Sequence, residues 1–123
     1  MKKLFLLLLT GALLAGCAVI DNSKKEQTLE RATMFYEKSI RWSDFTAARK
    51  LQHEQTGSQQ AGVNLEKIKV TSYRQLKSQP LADENEVMIN VTIDYYHDDA
   101  MKIHTLNDAQ IWRYDPVANE WRI

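Results

Sequence analysis

The clearest pattern in the chain is an alternation. Val87, Ile89, Val91, Ile93 and Tyr95 take turns with Met88, Asn90, Thr92, Asp94 and Tyr96. A period of two over ten residues, rich in β-branched and aromatic types, predicts a strand with one buried face. Around it the texture repeats. Ile68, Val70 and Tyr73 predict a strand ending before Pro80, and Asp83-Glu84-Asn85 a turn. His97-Asp98-Asp99 predicts a second turn. Met101, Ile103 and Thr105 then resume the alternation, with a bulge at Leu106-Asn107-Asp108 and a continuation through Ile111, Trp112 and Tyr114. Asp115-Pro116 to Asn119 predicts the last turn, and Trp121-Arg122-Ile123 a closing strand.

Upstream the period is helical. Leu29, Ala32, Thr33, Tyr36 and Ile40 fall on one stripe, flanked by Phe35 and Ser39, while Glu30, Arg31, Glu37, Lys38 and Arg41 lie opposite. Ser23 and Glu26 have the spacing of a capping box, which predicts a helix starting at Ser23. Ser43-Asp44 breaks the pattern and caps a shorter helix carrying Phe45, Ala48 and Leu51 inward. Gln52 to Asn64 is polar, with Gly57, Ser58 and Gly62, and reads as a loop. The expectation is an α+β fold, with N-terminal helices packed on a curved four-strand antiparallel meander.

The first sixteen residues follow a third pattern. Lys2 and Lys3 precede a charge-free run from Leu4 to Gly16. That run falls short of the roughly 20 residues a membrane-spanning helix needs, and its build is that of a secretory leader. It ends at Leu14-Ala15-Gly16-Cys17, on the only cysteine of the chain. These four residues resemble the lipobox of bacterial lipoproteins. The resemblance implies cleavage before Cys17, lipid on its sulfur and an acyl group on its new amine. Ala18 in place of aspartate then implies sorting to the outer membrane, with the body facing the periplasm. The division is 1–16 leader, 17–22 lipidated tether and 23–123 a single domain. Fully extended, the six tether residues reach at most roughly 20 Å.

Composition narrows the partners. With Lys2 and Lys3 removed, fourteen basic residues face sixteen acidic ones, a balance that argues against a nucleic-acid partner. With Cys17 lipidated no thiol remains for a disulfide. No phosphate-cradling glycine loop, nucleophile elbow or cofactor motif occurs.

Tyr36-Glu37, Trp42-Ser43-Asp44-Phe45 and Ala47-Ala48 resemble the helix–turn–helix opening of NTF2-like, or SnoaL-like, domains of the cystatin-like fold. The Val87–Tyr96 strand, Trp112-Arg113-Tyr114-Asp115 and Trp121-Arg122-Ile123 resemble its end. Ser43 stands where that family usually has glycine. The resemblance implies a sheet curved around the long helix into a cone, whose open end some members use for a ligand or a reaction. Two helices running into a short meander also occur in accessory subunits of outer-membrane barrel assembly, but the glycine-methionine-threonine helix start and Gly-x-Pro turn of those proteins are missing.

Candidate chemistry is sparse. Asp94 lies in phase with Asn90 and Thr92, and in a cavity it would be a general base with Tyr36 as hydroxyl partner. On a solvent face it would be an ordinary paired acid, and Tyr36, on the apolar stripe, an ordinary core tyrosine. His104 is expected to point away from the core. His97-Asp98-Asp99 and His53-Glu54 do not make the three-donor set a divalent metal needs, so no metal is expected. Trp112 and Tyr114 share one strand face, opposite Ile111, and are candidates for a ligand or partner surface. The reading is a lipid-anchored envelope module that binds a partner protein or a second copy through the sheet. A small-molecule binder or an enzyme of the cone is the alternative.

Overall fold

The computed structural model describes the backbone of residues 2–53 and 64–123, and the side chains of 22–53 and 64–123. The order is α1 (Lys2–Arg41), α2 (Phe45–Arg49), a 3-10 turn (Leu65–Lys67), β1 (Ile68–Pro80), β2 (Glu86–His97), β3 (His104–Asp115) and β4 (Glu120–Arg122). Among the described residues the fold is α+β, with two helices and one antiparallel sheet in the order β1-β2-β3-β4. Each strand pairs with its sequence neighbour, so short hairpins suffice and no crossover is needed. Most of the expected loop, residues 54–63, lies outside the described residues.

Helix α1 does not begin at Ser23. Its backbone runs helically from Lys2 through Ser23, which is therefore interior and caps nothing. No proline or glycine lies between Cys17 and Ser23, and Ala18, Val19 and Ile20 carry the helix across the junction. The stretch expected as an extended tether is helical as well, and at 1.5 Å per residue its six residues rise about 9 Å rather than 20. Among the described residues no helix is long and apolar enough to cross a membrane.

The end of α1 shows how Ser43 substitutes for glycine. Ser43 has φ +57°, a left-handed conformation that costs a residue with a Cβ about 1 kcal/mol. Its N–H donates to Ile40 O at 2.9 Å, and Asp44 N–H donates to Ser39 O at 2.8 Å, closing the helix. A glycine could not make the offsetting contact: Ser43 Oγ accepts from the backbone N–H of Val70 at 3.2 Å, at the start of β1. Asp44 then caps α2 as expected, its carboxylate accepting from Ala47 N–H at 3.0 Å. The chain end is tied to the same place, with His53 N–H donating to Ile123 O and Ile123 N–H to Leu51 O.

The alternation in β2 sets the core. Ile89, Val91 and Ile93 are buried and meet Tyr36 and Ile40 of α1, Ala48 of α2, Tyr73 of β1, Trp112 of β3 and Trp121 of β4. Trp112 is 0 % exposed and meets Tyr36 edge-on at 5.6 Å between ring centroids. An indole so enclosed contributes on the order of 3–5 kcal/mol.

Two expectations about strands fail. Residues 101–103 are outside β3, which starts at His104, and Met101 adopts φ +51°. The β2–β3 register is continuous from Glu86↔Arg113 to Tyr95↔His104, so Leu106–Asp108 holds no bulge. The irregularities sit in β1, between Val70 and Ser72 and between Gln75 and Lys77. An edge strand has only one partner to keep in step, so an extra residue disturbs it less than a central strand.

Candidate functional site

The second half of helix α1 crosses the sheet diagonally, tied at Lys25 to the β4 side and, just past its end, to β1. Just past the helix midpoint, Lys25 Nζ donates to Glu84 O at 2.6 Å and to Asn85 Oδ1 at 2.8 Å, both in the β1–β2 turn. The same ammonium lies 5.1 Å from the Tyr114 ring centroid and 5.8 Å from that of Trp121, and Trp121 Nε1 donates to Lys25 O at 3.1 Å. Near its end, α1 meets β1 through Ser43 and Val70. The diagonal covers the inner face from β4 to the start of β1. It leaves open the corner nearest the β2–β3 hairpin.

Strand pairing fixes what that corner contains. On the inner face Tyr95 is opposite His104, Ile93 opposite Leu106, Val91 opposite Asp108 and Ile89 opposite Gln110. Gln110 is buried, Asp108 half-buried and Leu106 48 % exposed. Exposure thus rises along one strand as the helix withdraws. At the far end the Tyr95 and His104 rings stack with centroids 5.5 Å apart, and the His97 ring lies 6.1 Å from each. His104 therefore does not point away from the core side. It shares the face of Trp112, because the register with β2 rather than the Met101-Ile103-Thr105 alternation sets its phase.

A polar network runs from this corner into the core. Gln110 Oε1 accepts from Trp112 Nε1 at 3.2 Å, and its Nε2 donates to Asp108 Oδ2 at 3.2 Å. The Gln110 amide also bonds the Tyr73 hydroxyl, at 3.2–3.3 Å. Burial pushes the Tyr73 phenol up to about 12, with the Gln110 hydrogen bond opposing and the charges around it, Asp108 and Glu37 included, adding to the rise. The Tyr36 phenol is likewise pushed up to about 12, by burial and then by the Asp108 carboxylate. Both stay protonated donors across the physiological range. No buried side-chain oxygen or nitrogen among the described residues lacks a partner, so the Tyr36 hydroxyl, which bonds none of them, keeps contact with solvent.

The residues singled out from sequence separate. Asp94 sits on the outer face, where its Oδ1 accepts from Thr105 Oγ1 at 2.7 Å and its Oδ2 is 3.9 Å from Arg74 Nη2. Tyr36 is on the inner side, against Trp112. The sheet stands between them, so they cannot serve one reacting atom, and Asp94 is the ordinary paired acid. Trp112 is a core residue with no surface to offer. Tyr114 is half-buried under Lys25, its hydroxyl donating to Asn119 Oδ1 at 3.0 Å. Cys17 lies on the α1 backbone, its side chain outside the described residues. Among the described residues no group of three or more metal-binding side chains converges.

Asp108, Gln110 and Tyr73 were not marked by the sequence. The parity of Trp112 and Tyr114, extended backwards, would have found the first two: 110, 108, 106 and 104 share it.

A second surface lies on the other side of α1. Met34, Phe35, Glu37, Lys38, Arg41 and Trp42 of α1, with Val70 and Thr71 of β1, line an open groove of about 620 Å³. Trp42 is 79 % exposed and Met34 61 %. Its charged rim is partly self-neutralised, Arg41 Nη1 lying 3.5 Å from Glu37 Oε1.

Comparison of the chain with protein-family models, with curated proteins and with solved structures returns no match.

Proposed function

We propose that this chain is a lipid-anchored envelope protein that works by binding rather than by catalysis. The Leu14-Ala15-Gly16-Cys17 stretch behind its apolar run supports the address. On this reading Cys17 carries the lipid, residues 1–16 are removed, and the body faces the periplasm from the outer membrane. Several acyl chains on one residue, at about 0.8 kcal/mol per buried CH₂, make a durable hold where a single chain is marginal. A helix laid across one face of a four-strand meander supports the finer assignment to the NTF2-like arrangement, in which the uncovered corner of the inner face would be the mouth of the cone.

One observation carries the choice of binding over catalysis: Met34 and Trp42 stand mostly exposed in one groove beside an edge strand. Indole and thioether surface left in water is characteristic of partner sites. The separation of Asp94 from Tyr36 by the sheet also weighs against the enzymatic alternative.

Two experiments test the two halves. Labelled palmitate is expected to enter the wild-type chain and not Cys17→Ala; equal labelling refutes the anchor. A photo-crosslinking residue at position 42, in cells, is expected to capture a discrete protein or a second copy, and one at Asp94 is not. Identical products from both positions refute the groove as the interaction surface.

A further inference from the structure

We infer that the open corner of the inner face is a binding site for a small organic amine, with its ammonium against Asp108 and its apolar body over Leu106 and the stacked Tyr95 and His104 rings. This goes beyond the envelope reading and does not depend on the lipid.

The argument starts from charge. Six carboxylates of the described residues have a cationic side chain within 4 Å: Glu37, Glu86, Asp94, Asp98, Asp99 and Glu120. Asp108 is half-buried on the inner face and has none among the described residues. Its one side-chain hydrogen bond there comes from the Gln110 amide. That amide is fixed, because its oxygen is committed to Trp112 and its nitrogen is shared with Tyr73. A carboxylate partly withdrawn from water, with one neutral donor, has acceptor capacity left over, and an ammonium is the partner that rewards it most.

The surroundings select the rest of the ligand. Two residues along the same face Leu106 offers an apolar floor, and beyond it the Tyr95–His104 stack offers an aromatic edge for the far end of an apolar body. The Tyr36 hydroxyl, still wet, is close enough for Asp108 to act on its ionisation. Anions are disfavoured, since Asp108 is the half-buried charge at this corner and has no cation beside it among the described residues. A metal is disfavoured too, because one carboxylate and a histidine four positions away do not form a closed donor set.

The test uses the full chain in detergent micelles, with phenethylammonium as probe and phenylacetate and phenethyl alcohol as charge-reversed and neutral isosteres. In a proton–nitrogen NMR titration, phenethylammonium is expected to shift the Leu106, Asp108 and Gln110 amides saturably, and the isosteres are not. Asp108→Asn is expected to weaken binding about fivefold or more, as loss of a hydrogen bond to a charged group implies, while Asp94→Asn on the outer face leaves it unchanged. Leu106→Lys, at an exposed position that does not endanger the core, places an ammonium beside Asp108 and is expected to abolish probe binding. Saturable shifts with phenylacetate, no saturable shift with phenethylammonium, or undiminished binding by Leu106→Lys each overturn the proposal. None of these outcomes touches palmitate labelling, so the anchor stands or falls separately.

Discussion

The two ends of one sheet face have opposite fates. At the end near the β1–β2 and β3–β4 turns, Lys25, Trp121, Tyr114 and Asn85 lock helix to sheet through charge, ring and backbone contacts. At the end near the β2–β3 hairpin, the same strands carry Leu106 in water, a carboxylate without a counter-cation and three stacked or edge-on rings. The composition of the two ends is similar; the difference is the diagonal of α1. A helix straight across a sheet must leave two corners uncovered. The corner at the start of β3, beside the β2–β3 hairpin, is one of them.

Substitutions break this contrast in a graded way. The largest effect belongs to the covered half. Trp112→Ala is expected to cost about 3–5 kcal/mol in denaturant unfolding, whereas Leu106→Ala, on the same face of the same strand, is expected to change stability by less than about 0.5 kcal/mol. Next comes alkaline pH. Tyr36 and Tyr73 ionise near 12 in the folded protein against 10 unfolded, so the stability this represents is fully present below pH 10 and is lost as pH rises to 12. The loss is expected to be on the order of 2–3 kcal/mol for Tyr36 and less for Tyr73, whose phenol is the better solvated of the two. Absorbance titration of the phenolates, with two of the five tyrosines lagging and released together with unfolding, checks it.

Smaller effects sharpen the picture of the network and the hinge. Tyr73→Phe leaves the Gln110 amide short of one partner and is expected to cost about 1–2 kcal/mol by thermal unfolding. Ser43→Ala keeps the left-handed strain and loses the bond from Val70, for about 1 kcal/mol. Ser43→Gly relieves the strain while losing the same bond, so it is expected near neutral. A marked gain from Ser43→Gly would mean the Oγ contact is worth little. The smallest effect is Asp94→Asn, which keeps an acceptor for Thr105 and loses only a long pair to the exposed Arg74, expected within about 0.5 kcal/mol.

This ordering also shows what could be read in advance. The β2 alternation identified its own buried face, and Asp44 announced the second helix, because both signals are local. The phase of β3 was not local. Met101 and Ile103 continue an alternation on paper, but Met101 turns left-handed and the strand begins after it, so pairing with β2 decides which parity points inward. That single inversion hid Asp108, while Asp94 drew notice on the polar phase of β2, which is the outer face. The capping box at Ser23 failed for a related reason: a cap ends a helix only where the preceding residues stop being helical, and nothing from Ala18 to Asn22 makes them stop. The network of Tyr73, Gln110 and Asp108 joins two strands, and no spacing within either one reveals it.

The irregular outer edge of β1 has a consequence for crowding. Two out-of-step residues, with Lys69, Arg74 and Lys77 interspersed, make that rim a poor template for another strand, since a flat ladder of free amides and carbonyls is what fibrils and strand-swapped chains extend. Copies of the chain at high concentration would collide often along this rim. They would find no straight ladder there to zip onto.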